Sequence, residues 1–233
     1  EAIIISKPVN GLNLGSITNL KPIVVLLNGI DATVEGKTVT FNEEASLASG
    51  ESFKAGDMFT LVEGTYVFRK GASVADGLTV DGAQIRLSDP QALRFIARLT
   101  DATEKAYAGC EYGFAVIPKK VLGSSSINIG TQYAYNGNEY EAVVVPAVKL
   151  FDEVTGEYKR YTAAMTGFTA DTYSTEYTAV TYIKNGDTYL YGEEFTTSIY
   201  AIAKAAVADE SISEEDKAYF EEIVAAVDNA GKE

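Results

Sequence analysis

The stretch 177–191 reads YTAVTYIKNGDTYLY and carries the strongest local signal in the chain. Its centre, Asn185-Gly186, favours a two-residue turn between antiparallel strands, because both residues tolerate positive φ. The flanking residues are mostly β-branched and aromatic, which is typical of strands. A loop of Asn185 and Gly186 pairs Tyr182 with Tyr189, and directly opposed residues share a face. The stretch therefore predicts a β-hairpin with Tyr182, Tyr189 and Tyr191 on one face.

A second Asn-Gly pair, Asn136-Gly137, predicts a second hairpin, in which Tyr133 opposes Tyr140. Tyrosine rings are flat and amphipathic, so such clusters suit stacking on sugars or protein partners. The alternative is ordinary sheet packing, in which the rings cover the core. The lack of tryptophan counts against a sugar-binding groove. The candidate ligand-binding residues are the members of these two clusters: Tyr182, Tyr189, Tyr191, Tyr133, Tyr135 and Tyr140.

Outside these hairpins, turn dipeptides such as Asn28-Gly29, Glu63-Gly64 and Asp81-Gly82 recur through most of the chain. Short segments rich in Val, Thr, Tyr and Phe lie between them, for example 38–41 and 65–68, and have strand length and strand propensity. Helical periodicity is weak before residue 196, with one candidate at 101–108. The predicted fold class is mainly β, an antiparallel β-sandwich or barrel-like body with two C-terminal α-helices.

The two helices follow hydroxyl caps. Thr196-Thr197-Ser198 precede a helical pattern that continues to Val207, and Ser213 precedes a second pattern with apolar residues from Tyr219 to Val227. Residues 209–233 contain nine acidic and two basic residues. This charge predicts a solvated helix face, with an acidic docking surface as the alternative.

Small and turn-forming residues crowd together near residues 70–82, which indicates a boundary. The predicted organisation is a β-rich N-terminal region at 1–80, with two alternatives for it: a small separate domain or part of one sandwich. It is followed by a β-sandwich module at 81–208 that ends in a helix, and an acidic amphipathic helix at 209–233.

Charge and composition exclude several functions. The chain has 233 residues and a formal charge of −14, which argues against nucleic-acid and membrane-surface partners. It contains no histidine, which removes Ser-His and Cys-His nucleophile pairs and imidazole metal sites. The single cysteine, Cys110, cannot form a disulfide within the chain and is expected to be a small buried apolar residue. We therefore expect no enzyme activity, no cofactor and no metal.

A glycoside hydrolase with a carboxylate pair is kept as an alternative. Glu43-Glu44 and Glu193-Glu194 are adjacent in sequence, and adjacent strand residues face opposite ways, so neither is expected to form a catalytic pair. Glu139 and Glu141 share a strand face, as solvated charges or a weak calcium site. Nearby lysines and asparagines also raise the hypothesis of an isopeptide crosslink, which would lower the intact mass by one ammonia. The longest apolar run, 23–27, is too short to span a bilayer.

A family resemblance enters with the order of segments from residue 83 onward. These segments are AQIRL at 83–87, QALRFIARL at 91–99, EYGFAVIP at 111–118, YTAVTYI at 177–183, YLYG at 189–192 and TTSIYAIA at 196–203. The order resembles an uncharacterised module found in large surface or secreted proteins of gut-type Gram-positive anaerobes, over about residues 83–208. Ala92 stands where that family usually has glycine. The resemblance implies an extracellular, multi-module context.

The sequence thus predicts a non-catalytic structural or interaction module of a bacterial cell-surface or secreted protein, serving adhesion, binding or spacing. A carbohydrate-binding module that uses the tyrosine clusters is the main alternative. Expected partners are the other modules of the parent protein, with a glycan or a host or cell-surface protein in addition, and no nucleic acid or membrane insertion. The expected location is extracellular or cell-wall associated. Because Glu1 follows no leader, the chain is interpreted as a mature or trimmed fragment.

Overall fold

The computed structural model describes residues 2–6, 23–47, 51–71, 77–152 and 158–230. The fold is mainly β, with 48% of residues in strands and 20% in helices, and it contains several antiparallel sheets and two C-terminal helices. Among the described residues no sheet closes into a barrel. The predicted fold class is therefore confirmed, and a sandwich describes it better than a barrel.

The described residues before residue 71 form eight strands. They are β1 (Ala2–Ile5), β2 (Ile23–Leu26), β3 (Ala32–Glu35), β4 (Thr38–Phe41), β5 (Ala45–Leu47), β6 (Ser52–Phe53), β7 (Met58–Thr60) and β8 (Gly64–Lys70). One sheet has the order β1-β2-β8-β5-β6 and a smaller one the order β3-β4-β7. Strands β1 and β2, and β2 and β8, pair in parallel, an exception in this otherwise antiparallel fold.

The core of this first part is built on phenylalanine. Phe41, Phe53, Phe59 and Phe68, which we call the phenylalanine cluster, pack by stacked and edge-to-face contacts with ring centroids 4.7–6.1 Å apart. Such arrangements add to the free energy that burial alone provides. The buried residues that pack with them all come from positions 23–68.

The second part begins at residue 77. Its strands are β9 (Leu78–Arg86), β10 (Ala92–Thr100), β11 (Glu111–Pro118), β12 (Tyr133–Tyr135), β13 (Asn138–Tyr140), β14 (Val143–Pro146), β15 (Phe151–Asp152), β16 (Tyr158–Thr166), β17 (Tyr177–Asn185) and β18 (Thr188–Thr197). Its helices are α1 (Asp101–Ala106), α2 (Lys119–Leu122), α3 (Ile199–Ala208) and α4 (Glu214–Ala230), with a 3₁₀ turn at Ala170–Thr172. Helix α1 confirms the candidate at 101–108.

Two four-stranded antiparallel sheets, β15-β16-β10-β9 and β14-β11-β17-β18, form the sandwich. Alternate residues of β10 are buried against the opposite sheet, as the two-residue period of a strand requires. Tyr161 of β16 lies between the sheets, where its hydroxyl donates to the Gly113 carbonyl at 2.9 Å. At one side of the sandwich β18 approaches β9 so closely that a side chain at Gly192 would clash with the Leu78 carbonyl.

Both C-terminal helices begin at the predicted caps. The Ser198 hydroxyl accepts a hydrogen bond from the Ala201 amide at 3.0 Å, and the Ser213 hydroxyl accepts one from the Asp216 amide at 3.1 Å. These caps satisfy amide groups that a helix cannot pair internally. The apolar sides of the helices bury Ala203 and Ile223, among others, in the sandwich core.

The two Asn-Gly turns differ in register. At Asn136-Gly137 the predicted pairing is confirmed, with Tyr133 opposite Tyr140 and both turn residues at positive φ. At the other turn the predicted pairing is wrong, because Asn185 pairs with Thr188 and Tyr182 lies opposite Tyr191. Only Gly186 takes positive φ there, so the loop consists of Gly186 and Asp187. The shift of two residues leaves Tyr182, Tyr189 and Tyr191 on the same face.

The predicted boundary at residues 70–82 stays a prediction, and its centre, 72–76, lies outside the described residues. The buried hydrophobic residues form three clusters, and none of them contains buried residues from both sides of this boundary. One cluster draws its buried residues from 23–68, and the other two draw theirs from Leu78 onward and from Ala115 onward.

Candidate functional site

The six candidate tyrosines occupy three different environments. Tyr133, Tyr182 and Tyr191 are buried, Tyr135 and Tyr189 are half-buried, and Tyr140 is 40% exposed. Five of them, all but Tyr140, belong to one hydrophobic cluster on the outer face of sheet β14-β11-β17-β18, which we call the tyrosine cluster. The two predicted groups are thus parts of one core. Its three buried rings have no face open to a ligand.

Hydroxyl groups of the tyrosine cluster hold the segment 126–129. The Tyr133 hydroxyl accepts from the Asn128 amide at 2.7 Å and donates to the Ser126 carbonyl at 2.9 Å. The Tyr191 hydroxyl accepts from the Ile129 amide at 3.0 Å. Burial raises the pKa of Tyr191 to about 12, and burial also raises the pKa of Tyr133. Both phenols therefore stay protonated and keep these bonds at neutral pH.

Tyr182 is anchored at the other end of the cluster. Its hydroxyl donates to the Glu111 carboxylate at 2.8 Å. Burial, followed by this hydrogen bond, raises its pKa. The ring of Tyr182 also fills the space above Gly113, where any side chain would clash with it. Tyr182 therefore has a structural role.

An ion pair between a buried arginine and a half-buried glutamate joins the two parts of the chain. Arg69 of β8 is 2% exposed, and its guanidinium lies 3.3 Å from the Glu194 carboxylate of β18. It also donates to the Gly192 carbonyl at 2.9 Å. The same Glu194 carboxylate accepts from the Ile127 amide at 2.7 Å. A buried guanidinium needs such partners, because an unpaired charge in the interior is very costly.

Two asparagine side chains extend the hydrogen bonding of β8 beyond its last pairing with β2. The Asn28 side-chain amide donates to the Phe68 backbone carbonyl at 2.8 Å. The Asn128 side-chain oxygen accepts from the Lys70 backbone amide at 2.9 Å. Both are only 2% exposed. Phe68 and Lys70 direct these backbone groups to the same edge, because alternate strand residues do so. Asn28 comes from the first part and Asn128 from the second, so one strand edge connects both.

Two grooves lie along this junction and share Lys70 and Ile129 as walls. One, of ≈ 400 Å³, is lined by Tyr189, Tyr191 and three carboxylates. We call it the Tyr189 groove. The other, of ≈ 550 Å³, lies beside Asn28 and Gly130. A side chain at Gly71 would clash with the Tyr189 carbonyl, so the two parts approach closely here.

The carboxylates of the Tyr189 groove are Glu43, Glu44 and Asp187. Glu43 lies in a bend and Glu44 directly precedes β5, so neither is in a strand, and the strand alternation expected for the pair does not apply to them. The Glu43 carboxylate lies 3.3 Å from the Lys70 ammonium and accepts from the Asp31 amide at 2.7 Å. Glu43 is therefore occupied by partners within the chain.

Within the described ranges, no group of three or more Cys, Asp or Glu residues is arranged to hold a metal ion. Among the described residues, no helix has the length and hydropathy that a membrane span requires. Cys110 is half-buried, not fully buried as expected, and its thiol lies 3.7 Å from the Asn185 side-chain oxygen.

Comparisons of the chain with protein-family models, with curated proteins and with solved structures find no match.

Sequence reasoning missed the residues of the junction. Asn28-Gly29 was interpreted as a turn, which is correct, since both residues take positive φ. The burial of the Asn28 amide against Phe68 left no local signal. Arg69 occupies a strand that otherwise resembles any half-buried strand, and its partner Glu194 lies 125 positions away. The one available hint is an arginine directly after the apolar run 66–68, within a segment of strand propensity.

Proposed function

We propose that this chain is a non-catalytic structural or interaction module of a bacterial cell-surface or secreted protein, in which the two parts act as one rigid body. The observation that carries the proposal is the ion pair between buried Arg69 and half-buried Glu194. Desolvation makes such a pair an expensive way to gain stability, so its value here lies in fixing one relative position of the two parts.

The hydrogen bonds around the ion pair support this role. Glu194 also holds the Ile127 amide, and the adjacent Asn128 holds both Lys70 and Tyr133. Arg69, Glu194 and Asn128 therefore each position the chain itself through at least one bond within it. Such a module suits spacing and the presentation of surfaces, with the other modules of the parent protein as neighbours and an extracellular or cell-wall location.

Calorimetry of the full chain tests the rigid-body proposal. We expect one unfolding transition for the natural chain. Arg69→Met should lower the free energy of unfolding by about 1–3 kcal/mol, because the Gly192 carbonyl and the half-buried Glu194 carboxylate lose the guanidinium. Lys70→Met is the matched control: Lys70 is 53% exposed and its ion pair with Glu43 should contribute only about 0–1 kcal/mol. Two separate transitions in the natural chain, or turnover of a glycoside substrate, would contradict the proposal.

Carbohydrate binding is the second candidate, and the Tyr189 groove is the observation that favours it. Tyr189 is half-buried, and its ring stacks on Tyr191 at 6.3 Å with an interplanar angle of 22°. One aromatic wall beside carboxylates is a plausible sugar contact. A glycan array with the natural chain, Tyr189→Ala and Tyr140→Ala separates the possibilities. Sugar binding in the groove requires loss of signal for Tyr189→Ala and an unchanged signal for Tyr140→Ala.

A further inference from the structure

The Tyr189 groove carries negative charge that its own residues do not neutralise. Four acidic or basic side chains line it: Glu43, Glu44, Asp187 and Lys70. Lys70 and Glu43 compensate each other, since the ammonium and the carboxylate lie 3.3 Å apart. Within the described residues, the carboxylates of Glu44 and Asp187 have no ion pair or hydrogen bond, and both residues are exposed. The groove therefore favours a ligand with a positive charge.

The positions of the carboxylates indicate what kind of cation fits. Glu44 directly precedes β5 in the first part of the chain, and Asp187 lies in the loop between β17 and β18 in the second. Together with Glu43, they are not grouped closely enough to hold a metal ion. The groove has a volume of ≈ 400 Å³, which is in the range of small-molecule sites. An organic cation, whose carbon body fills the groove, therefore fits better than a metal ion.

The ring of Tyr189 forms an aromatic wall that attracts a cation within the chain itself. The Lys184 ammonium lies 5.8 Å from the centroid of this ring, within the range of a cation–π contact. Tyr191 stacks on the ring of Tyr189, and Tyr182 packs edge-to-face against it. The orientation of the half-buried ring is therefore set by its neighbours before a ligand binds.

Gly71 connects the two sides of the groove. Its amide donates to the Glu44 carbonyl at 2.9 Å, and a side chain at this position would clash with the Tyr189 carbonyl. The backbones that carry the Glu44 carboxylate and the Tyr189 ring are thus held against one glycine. A groove of fixed width loses little conformational entropy when a ligand enters.

We propose that the Tyr189 groove binds an amino sugar with a free amino group. The ammonium group lies among the carboxylates of Glu44 and Asp187, and a face of the sugar ring packs on the ring of Tyr189. Amino sugars combine the charge that these carboxylates favour with the flat apolar face that an aromatic wall favours. The proposal rests on the second candidate function, carbohydrate binding, and names the class of sugar. It does not depend on the rigid-body role of the chain.

An NMR titration of the isotope-labelled full chain with glucosamine tests the proposal. Glucose and N-acetylglucosamine are the matched probes, because they keep the sugar ring and lack the positive charge. We expect glucosamine to shift the amide signals of Asp187, Thr188 and Tyr189, and to bind at least about tenfold more tightly than either neutral sugar. A neutral sugar that binds equally well would overturn the proposal and leave the carbohydrate candidate standing.

Charge-neutralising variants test which carboxylates hold the ammonium. Glu44→Gln and Asp187→Asn each remove one negative charge at an exposed position, and each should weaken glucosamine binding about threefold or more. Glu139→Gln is the matched control, because it removes the same charge from the neighbouring groove, and it should leave the affinity unchanged. Equal weakening in all three variants would overturn the proposal, because it would mean that only the overall charge of the chain matters.

A final probe separates the ammonium group from the sugar ring. Nα-acetyl-lysine methylamide carries a primary ammonium on a flexible chain and has no ring to stack on Tyr189. It should bind at least about threefold more weakly than glucosamine, and Tyr189→Ala should abolish this difference. Equal affinity of the natural chain for both probes, or no saturable binding of glucosamine, would also overturn the proposal.

Discussion

The phenylalanine cluster of the first part and the tyrosine cluster of the second contain similar rings but use them differently. Phe41 and Phe68 are fully buried, and their rings pack edge to face and carry no polar group. Tyr133 and Tyr191 are equally buried, yet each hydroxyl bonds the backbone of the segment 126–129. Burial alone has no directional preference. Hydrogen bonds of the tyrosine hydroxyls are directional, so the tyrosine cluster holds the segment 126–129 in one position. Through Asn128 of this segment, the cluster also positions the junction with the first part.

The largest effect is expected from a cavity in the phenylalanine cluster. Phe68→Ala removes a ring that packs against Phe41, Phe53 and Phe59, and should lower the free energy of unfolding by about 3–5 kcal/mol. Denaturant titration followed by circular dichroism measures it. Met58→Ala, at an exposed position of the same part, should change stability by no more than about 0.5 kcal/mol. Equal effects of the two substitutions would mean that this cluster contributes no packing energy.

Loss of one tyrosine hydroxyl should lower the free energy of unfolding by less, and through lost hydrogen bonds instead of a cavity. Tyr133→Phe keeps the ring but leaves the Asn128 amide and the Ser126 carbonyl unpaired, at a cost of about 1–3 kcal/mol. Hydrogen exchange of the Asn128 amide should accelerate. Tyr140→Phe, at the exposed position, serves as the control and should alter neither quantity. If Tyr133→Phe were neutral, the claimed difference between the two clusters would disappear.

Alkaline pH should destabilise the tyrosine cluster and not the phenylalanine cluster. Burial raises the pKa of Tyr191 from about 10 to about 12, so between these values the unfolded chain releases a proton that the folded chain retains. Stability then falls as pH rises, by up to about 1.4 kcal/mol per pH unit for this residue. Denaturant titrations between about pH 9 and about pH 11 should show a shallower fall for Tyr191→Phe. Identical slopes would assign the pH dependence to other groups.

The features of the two clusters that depend on local sequence pattern could be predicted from the sequence. Turn dipeptides, strand propensity and the serine caps at Ser198 and Ser213 predicted the mainly-β fold and both helices, because each of these signals acts over a few residues. The shared face of Tyr182, Tyr189 and Tyr191 also followed, since a shift of two residues preserves strand parity. Whether that face is core or surface depends on what packs over it. The covering segment 119–142 and the Arg69–Glu194 pair arise from contacts between distant positions, which no local pattern reveals.

The smallest expected change in stability distinguishes the two turns that bring the tyrosines together, at Asn136-Gly137 and at Gly186-Asp187. Asn136 has φ of 49°, in the left-handed region that alanine avoids, so Asn136→Ala should cost about 1 kcal/mol. Asn185 has no positive φ, because Gly186 occupies the first loop position, and Asn185→Ala should cost less than about 0.5 kcal/mol. Paired denaturant titrations of the two variants measure the difference. An equal loss of stability would imply that Asn185 also takes the left-handed conformation, and would restore the pairing of Tyr182 with Tyr189 that the sequence predicts.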